Sequence, residues 1–117
     1  MEINSRFLRA CRRLPVDATP VWFMRQAGRA LPEYRAIRRR ATLATCIADP
    51  ALAAEITLLP VERLGVDAAI VFADITTPLT AIGAGVRLDD GVGPVVDRPI
   101  RTASAVGGLA RLVEAAA

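Results

Sequence analysis

Apolar residues recur at helical spacing along much of this chain and run almost unbroken in one stretch. Phe7, Leu8, Cys11 and Leu14 line one side of a predicted first helix, capped by Asn4 or Ser5 and ended by Pro15. Pro20 introduces an extended apolar segment, Val21, Trp22, Phe23 and Met24. A helix is predicted from Pro32, a residue suited to the first turn, through Tyr34, Arg35, Ile37 and Arg38 to three arginines at its end. Residues 41–47 add a further helical turn or two. The clearest helix has Asp49 as its cap and Pro50 at its first position, with Leu52, Ala53, Ile56, Leu59 and Leu64 at helical spacing. Pro60 is expected to kink or split it, and Gly65 to end it.

The unbroken run is DAAIVFAD, residues 67–74. Acids bound it at both ends, the pattern of a strand buried on both faces. A helix, a glycine and a buried strand in succession predict an α/β unit in a parallel sheet. Asp74 would stand at the C-terminal end of that strand, where parallel α/β folds bind ligands. Residues 78–85 read as a small-residue connection. Residues 85–90 and 94–96 read as short extended pieces around Gly91 and Gly93, an excursion off the sheet. A last helix begins near Ser104 and carries Leu109, Leu112 and Val113. No internal repeat or low-complexity linker interrupts the pattern.

Composition narrows the chemistry. With 117 residues, 53% of them hydrophobic, the chain has the size and content of one small folded domain. Its net charge is +3, and all fifteen basic residues are arginine. Without histidine, the chain by itself builds neither a Ser-His-Asp nor a Cys-His arrangement, nor a His-ligated metal site. Cys11 and Cys46 are far apart and form no CxxC pair, so both are expected as reduced, partly buried thiols in a cytoplasmic protein. The N-terminal stretch lacks the apolar core of a secretory signal, and the longest apolar run is far too short for a membrane span. A soluble protein follows, with no membrane partner.

The candidate chemistry sits in VWFMRQAGRALPEYR, residues 21–35. Arg25 and Arg29 flank Gln26, Ala27 and Gly28. Arginine is a fixed cation whose donors suit planar carboxylates and phosphates, and a glycine between two of them lets the backbone approach a ligand. Spacing alone leaves two readings open: an anion clamp, or a surface turn with solvated charges. Asp74 is likewise either a functional carboxylate or an acid capping the next turn. Asp67 and Asp49 read as a strand entrance and a helix cap. Glu33 serves a helix N-terminus, Trp22 and Phe23 read as core or pocket wall, with core favoured, and Cys46 as buried filler.

Two blocks then carry a resemblance. PVWFMRQAGRALPEYR (residues 20–35) and DPALAAEITLLPVERLGVDAAIVFADI (residues 49–75) resemble the N-terminal third of the uroporphyrinogen decarboxylase family, in the same order. The resemblance implies a (β/α)8 TIM barrel of which residues 1–117 form the N-terminal portion, too short to close the barrel alone, since such barrels take about 250 residues. It implies a homodimeric enzyme that removes carbon dioxide from the four acetate side chains of uroporphyrinogen to give coproporphyrinogen, using no metal and no organic cofactor. By motif, Arg25 and Arg29 match the family's substrate-carboxylate ligands, and Gln26, Ala27 and Gly28 match the loop between them. Arg38 matches a further basic residue of the cleft. Asp74 matches the aspartate that the pyrrole N–H groups bind. Ala30 stands where the family usually has Tyr, and Ala73 where it usually has Ser. The family's later Tyr, Ser and His site residues have no counterpart in this sequence.

A polyacid substrate suits arginines, which do not titrate. Asp74 would stabilise a protonated pyrrole, with Arg25 or a water it holds as candidate proton donor. The alternative is a non-catalytic module that binds a tetrapyrrole or polycarboxylate. Nucleic-acid binding is disfavoured, with aromatics at 4% and no recognised motif. The zinc-dependent methyltransferases of the same superfamily lack the RQAGR loop, so they are disfavoured too.

Overall fold

Ser5 accepts a hydrogen bond from the Leu8 N–H and starts helix α1, Arg6–Cys11. The computed structural model describes residues 5–24 and 30–115. Helix α1 stops before Leu14, shorter than its apolar pattern predicts. Arg13 turns the chain with a φ of 56°, uncommon for a residue with a Cβ. The Arg9 guanidinium holds this turn by donating twice to the Pro15 carbonyl. Cys11 is exposed, not partly buried.

Helices α2 (Pro32–Arg40), α3 (Leu43–Ala48) and α4 (Pro50–Leu64) follow. The turn predicted over residues 41–47 is a helix of its own, because Thr42 caps it by accepting from Thr45 N–H. Asp49 caps α4 through the N–H groups of Ala51 and Leu52, as predicted. Gly65 ends α4 in the left-handed region, at φ 63°. Pro60 does not split α4, which continues through it to Leu64. That proline is fully buried, so packing around its ring offsets the backbone hydrogen bond it cannot make.

Ile37 of α2, Cys46 of α3 and Ile56 and Leu59 of α4 form the buried cluster, with Leu31, Tyr34, Ala41, Leu52 and Phe72 packed against it. Cys46 and Ile56 are completely buried. The Tyr34 and Phe72 rings meet edge to face at 5.8 Å. Leu64, expected with this set, is half exposed.

Residues 67–74 depart most from expectation. They run without joining any ladder among the described residues, and Ile70 and Val71 are 63% and 72% exposed. A strand is buried on both faces only when neighbours supply ladder partners and cover, and no described strand lies beside this one. Two bonds tether it instead. Asp67 N–H donates to the Val21 carbonyl at 2.9 Å, and Phe72 N–H donates to Thr57 Oγ1 at 2.8 Å. Residues 21–24 are also outside any strand, and Trp22, Phe23 and Met24 are exposed rather than core.

The short helix α5 (Thr77–Ala81) takes up the start of the connection expected over residues 78–85. The excursion is a two-stranded antiparallel hairpin of β1 (Val86–Asp89) and β2 (Gly93–Val96), with Val86 opposite Val96 and Asp89 opposite Gly93. Gly91 and Gly93 take φ of 85° and 100° at its turn, angles that a Cβ would strain. The hairpin packs on α3 and α5 through β1. The last helix, α6 (Ala103–Ala115), buries no residue. The radius of gyration is 18.3 Å, against about 13 Å for a compact domain of this length. The described residues are thus a mixed helix and strand arrangement whose apolar faces are partly uncovered.

Replacing Ile56 by Ala should cost about 2–5 kcal/mol in urea unfolding, the range for a large-to-small change at a buried site. Thr57→Val keeps the shape of the side chain but leaves the Phe72 N–H without its acceptor. It should cost about 1 kcal/mol, and a neutral result would show that this tether does not form in solution.

Candidate anion-binding site

The predicted clamp residues Arg25, Gln26, Ala27, Gly28 and Arg29 lie outside the described residues. Their flanks are described. On one side is the exposed segment ending at Met24, and on the other Ala30 leads to Leu31, the N-cap of α2. Pro32 fixes the first turn of that helix. Glu33, in the same turn, accepts from Arg63 Nε at 3.0 Å and so joins the start of α2 to the end of α4.

The segment before the clamp is anchored by charges that the sequence pattern did not single out. Arg6 makes a two-pronged pair with Asp17, its Nε and Nη2 reaching the two carboxylate oxygens at 2.8 and 2.6 Å. Its Nη1 reaches Asp67 at 2.9 Å. The second Asp67 oxygen accepts from Val21 N–H at 2.9 Å. Asp67, expected to open a strand, opens none and instead acts as a tie: its one carboxylate joins α1, the start of segment 21–24 and the end of α4. Only the acid bounding an apolar run hinted at this. Nothing in the spacing of Arg6, Asp17 and Asp67 announces the pairing.

Asp74 follows the tethered run and begins a tight turn. Its Oδ1 accepts from Thr76 N–H at 2.9 Å and from Thr76 Oγ1 at 2.5 Å, while Thr77 Oγ1 accepts from the Asp74 N–H. The carboxylate thus caps the turn into α5, as the structural reading of this residue anticipated. The half-buried side chain has its orientation fixed through one oxygen. Among the described residues nothing donates to Oδ2.

Arg38 is half-buried on α2 and is not an idle helix-end charge. Its Nη1 donates to the Ala41 carbonyl at 2.7 Å, and its Nη2 to Asp90 Oδ1 at 2.6 Å. The same Asp90 oxygen accepts from Leu43 N–H at 3.2 Å. Burial alone would lower the Arg38 pKa, but the Asp90 hydrogen bond and charge outweigh it and the net shift is upward. In return the Arg38 hydrogen bond, helped by Leu43 N–H, holds the Asp90 carboxyl below the usual range. Beside this pair lies an open cavity of about 460 Å³, lined by Tyr34, Arg35, Arg38, Leu43 and the hairpin turn over residues 89–93. Asp90 was not a candidate from sequence, since its partner is 52 positions away.

Among the described residues no group of three or more His, Cys, Asp or Glu side chains is placed to hold a metal ion. No described helix is long and apolar enough to cross a membrane.

The family model for uroporphyrinogen decarboxylase (URO-D) matches residues 2–116, nearly the whole chain. The chain belongs to the uroporphyrinogen decarboxylase family. A protein of Chloroflexus aurantiacus named uroporphyrinogen decarboxylase is 56% identical over 100 residues, covering 86% of this chain and 28% of that protein. Proteins of the same name from Thermobifida fusca and Streptomyces avermitilis are 58% and 59% identical, over 102 and 99 residues. These matches cover 87% and 85% of this chain, and 28% of each relative. The chain therefore spans little more than a quarter of the length of the curated relatives it matches. The resemblance carried by residues 20–35 and 49–75 is borne out at the level of the family.

Arg6 holds the Asp17 carboxyl well below the usual carboxylate range, chiefly through its hydrogen bond. A carboxyl whose folded pKa is depressed contributes stability above its unfolded pKa, near 3.9, and loses that contribution as pH falls through the folded value. The Arg6–Asp17 and Arg38–Asp90 pairs should therefore be intact at neutral pH and fail only in acid. In Arg6→Gln, the Asp17 carboxyl resonance should titrate at higher pH, back toward about 3.9. An unmoved titration would show that the pair is not formed in solution.

Proposed function

We propose that this chain carries the substrate-anchoring portion of a uroporphyrinogen decarboxylase, with residues 1–117 as an N-terminal segment of a (β/α)8 barrel. The observation that carries the reading is the family match over residues 2–116, which includes the RQAGR block. In this reading Arg25 and Arg29 grip carboxylates at the rim of the macrocycle, with Gln26, Ala27 and Gly28 shaping the loop between them. Arg38 adds a further cation. Asp74 lies under the converging pyrrole N–H groups. The complete enzyme is a cytoplasmic homodimer that needs no metal or organic cofactor.

The chemistry gives each group a reason. Loss of carbon dioxide from a pyrrole acetate leaves carbanion-like density, which the ring accepts once its α-carbon is protonated. That protonation makes the ring cationic, and a fixed carboxylate stabilises the cation without itself transferring a proton. The Asp74 arrangement suits such a task. One oxygen is held by Thr76, so the charge is already oriented before the ligand arrives. Arg25 or a water it holds is the candidate proton donor.

A second reading is binding of a tetrapyrrole or polycarboxylate without turnover. The exposure of Ile70, Val71 and Ile75 favours it, because the run around Asp74 is open to water among the described residues and a fixed charge acts most strongly in a dry site. Decarboxylation and porphyrinogen binding measured on the same sample separate the two. Asp74→Asn keeps an acceptor for Thr76 and should fold normally while turnover falls by about 10²-fold or more. Full turnover in that variant would remove the aspartate from the mechanism. Arg25→Gln and Arg29→Gln should each weaken substrate binding by roughly 10- to 100-fold, the span of a lost hydrogen bond to a charged group.

A further inference from the structure

We propose that Asp90 is a built-in competitor for the Arg38 guanidinium, a carboxylate on the hairpin turn that an incoming anionic group must displace from the Arg35–Arg38 cavity. The proposal rests on the reading of Arg38 as an anion ligand and adds to it a regulatory residue on a different element.

The geometry supplies the parts. Arg38 is anchored from behind by the Ala41 carbonyl, which accepts from its Nη1 at 2.7 Å. Its Nη2 then meets Asp90 at 2.6 Å, on the side where the hairpin turn lines the cavity. Arg35 lines the same cavity, in ion pairs with none of the described residues. The other turn carboxylate, Asp89, is already paired with Arg87 on its own strand. Asp90 is therefore the negative charge that an anion entering this cavity must displace from Arg38.

The competitor is also built to yield. Asp90 is exposed, with 45% of its side chain open to solvent, whereas the Arg38 side chain is 25% exposed. It sits on a turn that contains Gly91 and ends at Gly93, whose backbones accept angles closed to other residues. A half-exposed ion pair is weak because water and salt screen it. An anion with two or more carboxylates gains Arg35 and Arg38 together, and the single carboxylate of Asp90 does not match that. Polycarboxylates should thus displace the turn where monocarboxylates fail.

The test uses the full chain with benzene-1,2,4,5-tetracarboxylate as probe, followed by calorimetric titration at low and moderate salt. Asp90→Asn retains an acceptor for Leu43 N–H while removing the competing charge, and Asp90→Ser is a second variant of the same kind. Circular dichroism melts establish that each variant folds. Both should bind the probe about 2- to 5-fold more tightly than the parent chain, the fold-change equivalent of an exposed ion pair. Arg38→Gln should weaken binding at least tenfold, and the gain from Asp90→Asn should vanish in the Arg38→Gln background. Unchanged or weaker binding in the folded Asp90 variants, with Arg38→Gln still weakened, would overturn the competitor and leave the anion-site reading standing. Binding indifferent to Arg38→Gln would overturn the Arg38 part of that reading, and the competitor with it.

Discussion

Packing of three short helices around Ile37, Cys46, Ile56 and Leu59 is the constraint on which the rest of this structure depends. None of α2, α3 or α4 would be stable alone, since isolated helices of such lengths are marginal in water. Caps on α3 and α4 and a proline start on α2 and α4 fix where each begins, and the shared apolar cluster fixes how they meet. The candidate groups among the described residues hang from this assembly. Arg38 projects from α2, the hairpin leans on α3, and the segment before Asp74 is held through Phe72 against α4.

The second layer of organisation is electrostatic. Asp67 joins Arg6 to Val21 N–H, and Asp90 joins Arg38 to Leu43 N–H. In both cases a carboxylate satisfies one arginine and one backbone donor from a distant part of the chain. Such pairs add little stability when exposed, but they fix register between elements that share few apolar contacts. A chain with fifteen arginines and no lysine suits this use, because the guanidinium fork can face several acceptors at once.

The apolar surface has a different logic. Ile70, Val71 and Ile75 lie in or beside a run whose composition belongs inside a protein, yet they face outward here. Residues 21–24 share that condition, and the Asp67–Val21 backbone bond sets the beginnings of the two segments side by side. Segments of this kind gain ladder bonds and lose apolar exposure when further strands flank them. The proposed barrel would supply such neighbours.

The helices and the hairpin turn were legible because their signals are local. Thr42 and Asp49 cap within three residues, Gly65 needs only its own φ, and the Gly91 and Gly93 turn is decided by steric freedom. Asp74 as a turn cap was legible for the same reason. The family, too, was written in two contiguous blocks. The strand over residues 67–74 was misread because periodicity records what a segment is built to be buried against, and burial also needs neighbours. Arg6 with Asp67, Thr57 with Phe72 and Arg38 with Asp90 were invisible beforehand, since each joins groups fifteen or more positions apart. By itself, then, the sequence determined the caps, the helix faces and the family. Only the tertiary structure decided which charges meet and which apolar runs stay uncovered, because long-range pairing depends on how the helices pack.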